Sequence, residues 1–312
     1  MPADARARTS QPPASQAPAS TALLRDAVVL GAVWGSSVIF QRMAVAEVAP
    51  FPLVLLRLAA ALLFFAPFLP RVWRGLTSSR RRFIDVCIVG AINPCLCGIL
   101  SATALLYASS GLVAVLISLA PLLTALLATL VLRERIPTRL QLAGLAVAFC
   151  GVAVLIVTRS TGLGPLQDGD LRGHAMAIAV ALLMAVATIY TRLRLGGADP
   201  LAMAAGQIVG GMICIVPATL LVGETVALDR ISVQTWVAIV VSGSVGLGAS
   251  FVLFLGMIQR HGPTASLLAL YVMPVAAAAL GALVLDETIT LPMAVGAALV
   301  LLGVVLFTRR NR

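Results

Sequence analysis

The chain has 312 residues, of which 60% are hydrophobic types and only 11% are charged. A soluble domain carries roughly 25% charged residues, so this composition excludes an ordinary soluble enzyme, a disordered chain and a nucleic-acid-binding module. The net charge of +10 comes from 22 basic residues, all arginine, against 12 acidic ones, and it has to be explained in a chain that is otherwise apolar.

Residues 1–26, rich in Ala, Pro, Ser and Gln over most of their length, predict a disordered cytoplasmic tail. The first apolar stretch begins too far from Met1 for a cleaved signal peptide. Ten apolar runs follow, at 27–46, 51–69, 83–106, 111–132, 140–158, 174–191, 200–222, 235–257, 263–285 and 291–308. A membrane-spanning helix needs about 20 mostly apolar residues, and each run is close to that length. None alternates apolar and polar residues as a barrel strand must, and helix is the open structure that satisfies its own backbone in hydrocarbon. The fold class predicted is an all-α integral membrane protein of ten transmembrane helices, ending in a short tail at 309–312.

Arginine placement gives the orientation. With the N-terminus inside, 17 arginines fall on cytoplasmic segments, while Arg42, Arg159, Arg172 and Arg230 fall outside and Arg57 lies within a run. The expected topology is multi-pass in the inner (plasma) membrane with both termini cytoplasmic. The basic charge then marks topology and calls for no nucleic-acid partner. The five cysteines, Cys87, Cys95, Cys97, Cys150 and Cys214, all lie in apolar runs. Cys95-Leu96-Cys97 has neither zinc-knuckle nor CxxC spacing, so no metal and no cofactor are expected.

The chain repeats itself. At a shift of 153 residues Pro121 falls on Pro274, Leu130-Val131-Leu132 on Leu283-Val284-Leu285 and Glu134 on Glu287. After the loss of one residue Gly144 meets Gly296 and Gly151 meets Gly303. At a shift of 150, Arg42 falls on Arg192, Pro50 on Pro200 and Arg57 on Gln207. Two five-helix units, 27–158 and 174–308, are therefore expected. Because five is odd, the second enters the membrane from the opposite side. Inverted repeats of this kind mark transporters, with the substrate site at their interface near the midplane.

These residues carry a family resemblance. Trp34-Gly35-Ser36-Ser37, then Pro50 and Leu56-Arg57, look like the first two helices of an EamA-type unit. Ala104 to Gly111, Ser118-Leu-Ala-Pro121 and Leu132-Arg-Glu134 continue it. The second copy reads Ala265-Ser-Leu-Leu, Tyr271-Val-Met-Pro274 and Leu285-Asp-Glu287. Residues 27 to 308 thus resemble the ten-helix, two-repeat members of the drug/metabolite transporter superfamily. The resemblance implies a permease, commonly an exporter, for small metabolites such as amino acids or related compounds. The second copy departs from it at Met184-Ala185, where the first has Trp34-Gly35, while Gln207 fits the glutamine common in second EamA copies.

Polar residues inside the runs are the candidate cavity residues. Arg57, about 10 Å below the outer surface by helical rise, is costly there unless it meets a partner or a wet cavity. It is either an anchor for a substrate carboxylate or a structural arginine held by backbone carbonyls. Gln207 is its inverted counterpart, and Asn93 sits beside Pro94 at mid-depth; both can line a cavity or tie helices together. Trp34, deeper than the interfacial aromatic belt, shares a helical stripe with Ser37 and Gln41. Ser118 and Tyr271 stand three residues before the paired prolines and complete the set. Phe251 and Phe254 read as packing residues. Pro121 and Pro274 are candidate bends or hinges. Gly144, Gly151, Gly296 and Gly303, paired at seven-residue spacing, are candidate sites of close helix approach. Glu134 and Glu287, at opposite membrane faces, can cap loops or pair with arginines. His174 and His261 at run ends read as interface residues.

No acid or histidine lies mid-run and no Walker sequence occurs, so a proton relay through a mid-membrane acid and ATP use by this chain are not expected. An intramembrane enzyme needs a clustered nucleophile, histidine pair or metal carboxylates, and the chain offers none. A structural or assembly role fits the inverted repeat poorly. The expected partners are the bilayer and a small-molecule substrate; monomer and homodimer are both compatible with the sequence.

Overall fold

A computed structural model describes residues 21–68, 70, 79–132, 138–159, 161–163, 170–195, 199–224, 228–261 and 269–308. Among them the regular structure is entirely helical. The apolar helices are α1 Thr21–Val45, α2 Pro50–Phe65, α3 Arg80–Tyr107, α4 Ser110–Val131, α5 Arg139–Thr158, α6 Arg172–Arg194, α7 Pro200–Val222, α8 Val233–His261, α9 Ala269–Val284 and α10 Leu291–Thr308. Eight of these elements are long and apolar enough to cross a membrane; α9 and α10 are shorter apolar helices. Large apolar side chains face outward along their length, Leu63, Leu130, Val157, Leu220, Leu221 and Leu283 among them. A surface of that kind calls for lipid rather than water.

The helix starts are written in the sequence. Pro50 and Pro200 open α2 and α7, where a missing N–H costs nothing. Ser109, Asp199 and Ser232 accept a hydrogen bond from a backbone N–H three residues on, and Thr138 with Gln141 makes a capping box. One expectation is corrected: α1 begins at Thr21, so 21–26 is helix rather than tail. Leu23 is buried, and Asp26 is ion-paired with Arg260 of α8 at 3.0 Å. The earlier part of the predicted tail and 309–312 lie outside the described residues.

The two halves pack as related units. Helix α1 packs on α9 and α8, and the corresponding α6 packs on α4 and α3. Helix α2 packs on α8, and α7 on α3. The pairs α5–α10, α2–α7 and α4–α9 each join a helix to its own counterpart. Exchanging each helix for the one five places along thus returns these principal contacts, as a pseudo-twofold axis between the repeats requires. At α5–α10 the approach is backbone to backbone. A Cβ on Gly144 would lie 2.7 Å from the Gly303 carbonyl, and one on Gly151 would lie 2.7 Å from the Gly296 carbonyl.

Two helices carry a wide, π-type turn at related places: α3 over Ala91–Cys97, around Pro94, and α8 over Ser244–Ala249, around Gly246 and Gly248. Helix α4 is interrupted between Ile117 and Ala120, because Pro121 lacks an N–H and crowds the preceding turn. Pro274 is instead buried within a continuous α9.

Candidate functional site

The wide turns of α3 and α8 both line a cavity of about 220 Å³ bounded also by α1, α2, α4, α6 and α9. Its walls come from both repeats in matched pairs: Trp34 and Met184, Asn93 and Gly246, Cys97 and Ser250, Ile117 and Leu270. A π turn re-aims side chains that a regular helix would leave in the packing face, and this places the Asn93 amide at the wall.

Arg57 is the charged group of the cavity wall. It is 6% exposed. Its Nε donates to Ser242 Oγ at 3.0 Å and its Nη2 to Ser37 Oγ at 3.3 Å. The Ser242 hydroxyl proton is directed to the Ile239 carbonyl at 3.2 Å, which turns an oxygen lone pair toward the guanidinium. Among the described residues no carboxylate pairs with Arg57, and none lines the cavity. A guanidinium offers five N–H donors; two neutral hydroxyls fix its orientation and leave donors and a whole positive charge for a guest.

The other polar groups are neutral. Asn93 Nδ2 donates to Gln207 Oε1 at 3.4 Å, so the α2–α7 counterparts Arg57 and Gln207 meet the cavity differently: Arg57 lines it, while Gln207 stands behind Asn93. Gln41 accepts from Ser101 Oγ at 3.3 Å and donates to the Gly98 carbonyl at 3.4 Å, tying α1 to α3. Trp34 presents its ring to the cavity while packing against Phe254, with ring centroids 5.6 Å apart.

Of the seven cavity candidates, Trp34, Ser37, Arg57 and Asn93 line the space and Gln207 is bonded to it. Ser118 and Tyr271 do not line it. Ser118 donates to its own helix at the Val115 carbonyl (2.6 Å), and the Tyr271 hydroxyl points to the Val304 carbonyl of α10 at 3.5 Å. One residue earlier, Ile117 and Leu270 face inward instead, because one helical step turns a side chain by about 100°. Phe251 lines the cavity as well as packing. Gly246, Ser242, Ser101 and Met184 were not among the sequence candidates. Extending the 153-residue shift back to α3 places Gly246 on Asn93 and would have singled it out.

At the end of α1 Arg42 donates to the Leu105 carbonyl of α3 and lies 4.0 Å from Glu287. Glu287 accepts from the Ser110 backbone N–H and hydroxyl at 2.9 Å, satisfying the start of α4. It therefore both caps a helix and pairs with an arginine. Its counterpart Glu134 lies outside the described residues. Nearby Glu47 accepts from Ser232 N–H and Oγ at 2.9 and 2.8 Å, and these bonds hold its carboxyl below the usual carboxylate range. His174, read from the sequence as an interface residue, is buried at the start of α6.

Residues 27–157 and 171–309 each match the model of the EamA-like transporter family. A protein of Archaeoglobus fulgidus described as an uncharacterized transporter is 26% identical over 208 residues, 66% of this chain and 70% of that one. A solved crystal structure superposes with a TM-score of 0.63 at 18% identity, over 92% of this chain and 96% of the other, a likeness of fold.

Proposed function

The chain belongs to the EamA-like transporter family, and from that premise we propose that it is a secondary transporter exporting small organic metabolites, amino acids or related compounds among them. All ten apolar helices span the plasma membrane in this reading, with both termini cytoplasmic. The two inverted five-helix units exchange conformations around the cavity between α1, α2, α3, α4, α6, α8 and α9, opening it to either side in turn. Pro121, where α4 is interrupted, and Pro274, within α9, are the hinge positions in this reading, and the four glycines let α5 and α10 slide as a close-packed pair.

The observation that carries this reading is a single one. The cavity sits where the two repeats meet, its walls include matched residues of both, and among the described residues Arg57 is the charged side chain that lines it. A buried arginine without an acidic partner is expensive to keep, and a guest carboxylate, gripped by two parallel charge-assisted bonds, repays it. Arg57 is thus the anchor, with Ser37, Asn93, Gln207 and Trp34 shaping the rest of the site.

Expression in a host sensitive to toxic amino-acid and organic-acid analogues tests the direction. Export predicts higher resistance and faster release of preloaded compound. Unchanged sensitivity and release across the panel, with the protein present in the membrane, contradicts export.

A further inference from the structure

The charges and walls of the cavity narrow the cargo further, on the premise that the chain transports through this cavity. We propose that, within that range of metabolites, it favours monoanionic organic acids with a small apolar body over the zwitterionic amino acid of the same shape.

The cavity holds one cation, Arg57, and the groups that surround it are neutral: the hydroxyls of Ser37, Ser101 and Ser250 and the amides of Gln41 and Asn93. A monocarboxylate brings the occupied site to zero net charge. A zwitterion satisfies Arg57 equally well but adds an ammonium. Burying an ammonium without a counter-charge carries a heavy desolvation cost. The acceptors within reach are neutral, and three of them already accept a bond: the Gly98 carbonyl from Gln41, the Gln41 oxygen from Ser101 and the Gly246 carbonyl from Ser250. The ammonium would also share a low-dielectric space with the guanidinium, and that repulsion is strong at cavity distances.

The walls opposite these groups are apolar. Trp34, Met184, Phe251, Leu270 and Met273 offer no hydrogen-bonding partner other than the Trp34 N–H. A volume of about 220 Å³ equals roughly seven water molecules at about 30 Å³ each. That suits an acid with a short branched or single-ring body, and the apolar walls leave the hydroxyls and second negative charge of a sugar phosphate without partners.

The test uses matched compounds on the purified full-length protein: 3-phenylpropanoate, phenylalanine, 3-phenylpropanamide and phenethylamine, with 4-methylpentanoate and leucine as an aliphatic pair. Binding is read by ligand-induced thermal stabilisation, and flux in proteoliposomes. Each acid is expected to bind at least tenfold more tightly than its amino acid and its amide, with the amine weakest. In Arg57→Gln the preference of acid over amide falls at least tenfold, while amide binding stays within a few-fold of the parent. Equal or tighter binding of phenylalanine and leucine overturns the proposal, as does tighter binding of phenethylamine, which would move the recognition to the face of Trp34. An unchanged acid-over-amide preference in Arg57→Gln overturns it as well. Should the protein move other solutes but neither acid, the cargo class is wrong and transport stands. Should it move no solute of a broad panel, the transport reading itself fails.

Discussion

Arg57 is held at the cavity wall by two neutral hydroxyls, Ser242 at 3.0 Å and Ser37 at 3.3 Å. An arginine at mid-helix costs about 3 kcal/mol on insertion scales, so its presence alone marks a site. What the sequence does not display is the pair of hydroxyls, Ser37 and Ser242, that fix the guanidinium, because they come from helices 20 and 185 residues away. Gly246 was hidden for a different reason: it contributes by having no side chain. A Cβ there would fall on Ser37 Oγ, the group that holds Arg57. Gly246→Ala is therefore expected to displace Ser37 and weaken carboxylate binding by roughly tenfold, about 1.4 kcal/mol. Titration of the purified variant checks it; unaltered affinity would show that α8 shifts freely at this turn.

At the scale of elements, each predicted apolar run overlaps one of the apolar helices described, since length and hydrophobicity are what such a run displays. The gain over sequence lies in how the helices meet. Gly144, Gly151, Gly296 and Gly303 were legible as small residues, and the structure sets the α5 pair against the α10 pair in backbone contact. Gly303→Leu must force the helices apart and is expected to lower the melting temperature in detergent clearly. Gly256→Ala, whose added Cβ meets only the end of the Arg260 side chain at 3.4 Å, is expected to be neutral or slightly stabilising, by up to about 1 kcal/mol of helix propensity. Equal melting temperatures for the two variants would contradict close α5–α10 packing. The paired π turns were only half legible: Pro94 marks the one in α3, whereas the one in α8 carries no proline and reads as an ordinary glycine-containing helix.

At the scale of the molecule, the +10 charge reads as a record of topology, and in the proposed function the chemistry falls to Arg57, buried at mid-helix. The repeat was visible in Pro, Glu and Gly positions spaced by about 150 residues, and the helix pairing follows the same exchange of halves. Ties at both ends of the related pairs suit bodies that move as units. Helices α1 and α8 are joined by Asp26–Arg260 and Glu47–Ser232. Helices α3 and α6 are joined by Asp85–Tyr190 at 2.7 Å and by Arg172 stacked 4.1 Å over Tyr107. The most direct test is a flux measurement in proteoliposomes that blocks the cavity itself. In a chain whose five cysteines are replaced, Met184→Cys puts one thiol on the cavity wall. Labelling it with a bulky maleimide is expected to cut solute flux at least tenfold relative to the same protein unlabelled. Flux that continues unchanged after complete labelling would contradict a transport path through this cavity.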